Sequence, residues 1–143
     1  MLKGGRRRGV YRDIGLLIIR AGLGVVFVLH GYPKVFGGPE KWEEVGATMQ
    51  YLGIEFAPMF FGFMAGAIEL FGGLFLAFGL FFTPTLALMI LVMAVAAAEQ
   101  VATGGGLTGI AHPIELALVF LGLLFIGPGR YSLEWRINRR RRY

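Results

Sequence analysis

The sequence predicts an all-α membrane protein, a bundle of four transmembrane helices with both termini in the cytoplasm. Three observations carry this expectation. Four apolar runs, at about 13–34, 57–82, 84–102 and 110–127, each approach the ~20 residues that a spanning helix needs. Of 143 residues, 56% are hydrophobic and only 16% charged, a composition that suits lipid better than a soluble core. Eleven of the fourteen Lys and Arg flank the runs: Lys3, Arg6–Arg8 and Arg12 on one side, Arg130, Arg136 and Arg139–Arg142 on the other. That placement follows the positive-inside rule. It argues against a nucleic-acid partner despite the net charge of +5.

The first run follows a basic stretch, as a signal peptide does, but no small-x-small cleavage site comes after it. It is followed by His30-Gly31-Tyr32-Pro33-Lys34 and is expected to stay as an anchor. The connector 35–56 is acidic, with Glu40, Glu43, Glu44 and Glu55 against Lys41, as an outer loop is expected to be. Trp42, Val45, Met49 and Leu52 recur there at three- and four-residue steps, which predicts a short amphipathic helix on the outer membrane surface. Phe82–Thr85 is read as a tight inner turn between the second and third spans. The glycine-rich 103–109 stretch lacks the residues of a phosphate loop and is read as a flexible turn. Gly127 and Pro128 stop the fourth span. Residues 130–143 are expected to form an interfacial basic tail, with Ser132 capping a short helix, Trp135 at the headgroups and Arg139–Arg142 on anionic lipid. The whole chain, 1–143, is read as one four-helix membrane domain.

Ionisable groups inside the apolar runs are the functional signal, because each is costly to insert. Glu69 lies 13 residues before Phe82, Glu115 12 before Gly127, Glu99 15 beyond Pro84, and His30 and Lys34 17 and 21 beyond Asp13. At 1.5 Å per residue all sit roughly 18 to 32 Å from the inner edge, in the outer half. Side chains lean toward the N-terminus of their helix, so Glu69 and Glu115 lean outward while His30 and Lys34 lean inward to meet them. An outer-half polar pocket is therefore expected from His30, Lys34, Glu69, Glu99 and Glu115, with His112 at its rim and Tyr32 as a flanking aromatic. A structural Lys34–glutamate pair is the competing reading. Arg20, seven residues from Asp13, is expected to snorkel to the inner interface. Small residues Gly62, Ala65, Gly66, Gly73 and Ala77 along the second run predict close packing that turns Glu69 toward protein.

These residues resemble the DoxX family of small prokaryotic membrane proteins over roughly residues 14–134. The resemblance rests on Arg20, Gly24, His30-Gly31-Tyr32-Pro33-Lys34 with Phe36-Gly37, Glu69-Leu70-Phe71-Gly72-Gly73 with Leu76 and Gly79, Glu115, and Gly127-Pro128-Gly129-Arg130-Tyr131-Ser132. Where relatives often carry a histidine near the end of the third span, this chain has Glu99. The resemblance implies a four-helix bundle in the prokaryotic plasma membrane and a link to membrane redox chemistry.

Four functions follow as expectations. A quinone-linked redox subunit would use His30, Lys34 and Glu69 on the quinone head, with Tyr32 beside the ring and electrons from a redox partner protein. A noncatalytic anchor or assembly subunit would need partners or a homo-oligomer. A small-solute or proton pathway would need transport by this chain. A metal or haem site would draw on His30, His112 and Glu115. With no cysteine, the chain can carry no disulfide relay, iron–sulfur cluster or c-type haem attachment of its own.

Overall fold

Runs of Leu, Ala, Phe and Met offer the backbone no polar partner but itself, and helices result. The computed structural model describes residues 3–140; residues 141–143 of the basic tail lie outside the described residues. The order is α1 (Lys3–Phe36), α2 (Gly38–Gly46), a short 3-10 helix (Ala47–Leu52), α3 (Pro58–Phe78), α4 (Phe82–Ala102), α5 (Gly106–Ile126) and α6 (Leu133–Arg140), with no strand among the described residues. Four helices are long and apolar enough to cross a membrane: the Gly9–Phe36 part of α1, then α3, α4 and α5.

Three helix starts differ from expectation. α1 begins at Lys3 rather than at about residue 13. Phe82–Thr85 is the first turn of α4, not a connector. The reversal is made by residues 79–81, where Gly79 (φ +65°) and Phe81 (φ +44°) adopt left-handed conformations. Pro84 fits in the first turn because the N–H it lacks would have no partner there. The glycine-rich loop is also shorter than expected. α5 begins at Gly106 rather than Ile110, after a turn at Gly104 (φ +73°).

Glycine decides the packing. On α1, a side chain at Gly31 would run into the backbone of Gly66 and Leu70, and one at Gly24 into Gly73 and Ala77. The α1 and α3 backbones thus touch along three turns. α2 lies on the first turns of α3 in the same way, Gly46 against Gly62. Trp42 Nε1 donates to the carbonyls of Lys34 (2.9 Å) and Val35 (3.1 Å), closing the end of α1, while its ring stands edge-on to Phe63. α4 packs on α3 and α5 on α4, but α5 makes no comparable contact with α1. A seam is left between them, bridged by Phe27 and Phe120 with ring centroids 5.3 Å apart. The apolar core (Leu16, Leu76, Phe82, Leu86, Met89, Leu123) fills the bundle from that level toward the termini.

Arg20 does not snorkel. It is fully buried, and its Nη2 donates to the Tyr131 carbonyl at 3.3 Å. The segment after α5 folds back under the bundle and encloses it, and Gly79, lacking a side chain, leaves room for the guanidinium. Asp13, 2% exposed, accepts the Arg130 backbone N–H at 3.4 Å. Glu134 is bonded twice to the α3–α4 turn: Oε2 accepts the Phe82 N–H (2.9 Å) and its own N–H donates to the Gly79 carbonyl (3.0 Å). Ser132 Oγ accepts the Trp135 N–H at 3.1 Å and caps α6.

Two outcomes follow from these contacts. Gly31→Val should destabilise the protein by about 3 kcal/mol, at the upper end of overpacking costs, whereas Gly22→Val on the same helix, where a side chain meets open space, should be near neutral. Thermal unfolding in detergent checks this. Glu134→Ala should speed amide exchange at the first turn of α4 by about fivefold, the equivalent of losing a cap worth ~1 kcal/mol, and leave the far end of α4 unchanged.

Candidate functional site

The α1–α3 contact sets the site. Bringing Gly31 onto Leu70 and Gly66 onto Lys34 puts Lys34 beside Glu69, and Lys34 Nζ donates to Glu69 Oε1 at 2.7 Å. The Glu69 side chain is 6% exposed and that of Lys34 27%. Burial without a cation would be prohibitive for the carboxylate, so the pair explains how Glu69 can stand there. The pairing is incomplete: Glu69 Oε2 is buried and has no partner.

Beside the pair lies a cavity of about 230 Å³ in the seam between α1 and α5. Val26, Phe27, His30 and Lys34 line it from α1, and Glu69 from α3. Met93, Ala96 and Gln100 come from α4, and Gly109, His112, Pro113 and Leu116 from α5. One end is thus polar and the other apolar. His30 Nδ1 lies 2.8 Å from the Val26 carbonyl, which can only accept, so Nδ1 is the donor there. Gly105 and Gly109 leave room for the Gln100 side chain: a methyl group on either would collide with its Oε1. Pro113 has no N–H to give the Gly109 carbonyl, four residues back, and both line the cavity.

Of the residues singled out in the sequence, His30, Lys34, Glu69 and His112 come together here. Glu99, Glu115 and Tyr32 do not. Glu99 sits in the last turn of α4, roughly 90° around the helix from Met93, Ala96 and Gln100. Glu115 is exposed on α5, roughly 110° from the cavity-lining face. Tyr32 points away on α1 and packs its ring on Phe36, with centroids 4.8 Å apart. His30, His112 and Glu115 are not gathered as a metal-ligating group, and no cluster of three such residues occurs among the described residues. Gln100 escaped attention because it does not ionise. The 93, 96, 100 spacing on the α4 face that meets Glu69 was the signal that could have found it.

Comparison with known proteins places this sequence in a family. The DoxX family profile matches residues 15–103. The Bacillus subtilis (strain 168) protein named "Putative oxidoreductase CatD" is 38% identical over 68 residues, 48% of this chain and 46% of its own length. The chain therefore spans about half the length of that relative. The Mycobacterium tuberculosis (strain ATCC 25618 / H37Rv) protein named "Uncharacterized membrane protein Rv3486" is 29% identical over 142 residues, covering 87% of this chain and 82% of its own. No solved structure matches the chain. The profile covers more than half of the sequence, including Lys34, Glu69 and the glycines that join α1 to α3, and the chain belongs to the DoxX family of membrane proteins.

Proposed function

We propose that this chain is the membrane subunit of a quinone-linked redox system and that the α1–α5 cavity receives the quinone head. The observation that carries the reading is a buried Lys34–Glu69 pair with one carboxylate oxygen unpartnered, facing a cavity that opens on a seam between two spanning helices. A lipid-soluble ring with two polar oxygens fits such a site. Lys34 retains N–H groups to donate to a quinone oxygen, and His30 Nε2 and Gln100 Oε1 can accept from a quinol hydroxyl. At about 230 Å³ the cavity is smaller than the roughly 300–1,000 Å³ of sites that enclose a whole drug-sized ligand, so the isoprenoid tail would lie along the seam in lipid. Reduction to quinol takes two electrons and two protons. The electrons come from a reduced flavin or haem on a partner protein, and Glu69 is placed to pass the protons. A relative named as an oxidoreductase supports the redox link. Basic side chains at the end that carries both termini support a plasma membrane with that end in the cytoplasm.

An assembly role is the second reading, because the same ion pair also ties α1 to α3. The two readings separate in one experiment. Quinone retained by the purified protein should fall about tenfold in Glu69→Gln and in Gln100→Leu, as expected for one lost hydrogen bond in the site. Gln100→Leu leaves the ion pair intact, so its thermal midpoint should not move. Quinone content unchanged in both variants, or absent from the parent protein, defeats the quinone reading. Loss of a co-purifying protein in Glu69→Gln without any quinone effect favours assembly.

A further inference from the structure

Glu115 is left unexplained by the cavity. It lies nine residues from Gly106 and eleven from Ile126, the two ends of α5. That is roughly 13 and 16 Å from the helix ends, close to mid-depth. It is exposed and turned away from the cavity-lining face. A carboxyl in lipid at that depth is as costly as Glu69 would be, but Glu69 has Lys34, whereas Glu115 makes no ion pair among the described residues. Other ionisable groups of the spans are engaged elsewhere: Arg20 is enclosed under the α3–α4 turn, Lys34 bonds Glu69, and His112, three residues before Glu115, lines the cavity.

The residues around it form a pattern. Thr108, Ala111, Glu115, Leu118, Gly122 and Phe125 are all exposed and follow one another at three- and four-residue steps, making one straight stripe down α5. Gly122 is informative. Glycine in a helix interior costs about 1 kcal/mol relative to alanine. Gly24, Gly31, Gly66 and Gly73 offset that cost by letting backbones touch, whereas a side chain at Gly122, as at Gly15 and Gly22 on α1, would meet nothing within 4 Å. α5 is also the least enclosed of the four spans.

We infer that the α5 stripe is the contact between two copies of this chain, related by a twofold axis along the membrane normal, with Glu115 of one copy bonded to Glu115 of the other. Such an axis sets the two α5 helices side by side and parallel, so each residue of the stripe meets itself. A carboxyl is its own complement in that arrangement, one protonated group donating its O–H to the other's carboxylate. Ala111 and Gly122, about one and two turns away on either side, let the backbones come close enough for short side chains to meet. An apolar stripe also runs down α1 through Gly15, Ile18, Gly22 and Val25, but lipid tails satisfy it fully, whereas they cannot satisfy a carboxyl.

The chain contains no cysteine, so single cysteines report contacts without background. In native membranes, oxidation of Leu118→Cys or Gly122→Cys should give a covalent dimer in at least about tenfold higher yield than Ile18→Cys on α1 or Leu91→Cys on α4. Placed in the Leu118→Cys background, Glu115→Gln should keep the dimer, since an amide also pairs with itself, and Glu115→Leu should reduce its yield about tenfold. Equal yields from all four single cysteines, preferential linkage through α1, linkage of the Leu118→Cys chain to a different polypeptide, or insensitivity to Glu115→Leu would each overturn the assignment.

Discussion

Everything at the site depends on two backbones touching. A carboxylate at membrane depth needs a partner for its charge, and Lys34 reaches Glu69 because nothing but hydrogen separates α1 from α3 at Gly31 and Gly66. Separate the helices by the width of a methyl group and Lys34 must stretch while Glu69 loses its enclosure. The same closeness explains the seam. α1 is committed to α3, α5 is committed to α4, and the remaining edge between α1 and α5 is held only where Phe27 meets Phe120. Helix pairing, ion pair and cavity are consequences of one choice of small residues.

The fold was legible because lipid leaves few alternatives. Four runs of the right length, basic flanks and a short second connector permit little except an antiparallel bundle, and hydropathy reports that directly. Helix ends were less legible. Phe82–Thr85 resembled a turn because it holds Thr, Pro and Thr, yet the reversal occurs at residues 79–81, where Phe81 adopts a left-handed conformation that its composition does not advertise. Gly106–Gly109 resembled loop for the same reason and is helix. Arg20 defeated a rule that considers one helix at a time. The arm 127–140 folds beneath the bundle, and no local pattern announces a contact 111 residues away.

Within the site, depth was readable and direction only partly. Counting residues from a membrane edge put Lys34, His30 and Glu69 at a common level, and helix polarity made them lean together. Rotation about the helix axis was the missing coordinate. Glu99 and Gln100 are neighbours in sequence with nearly equal depth, yet only Gln100 lines the cavity. The ionisable residue attracts attention first, while the residue on the correct face is an amide. Glu115 has the right depth as well, and its rotation turns it away from the cavity.

The Phe27–Phe120 contact has a wider meaning when the two polar groupings are considered together. Lys34 and Glu69 stand on one side of it; Asp13, Arg20 and Glu134 stand on the other. Between them the interior holds Leu76, Leu86, Met89 and Leu123. The two polar groupings are thereby kept apart by an apolar layer, and each draws its partners from its own end of the bundle.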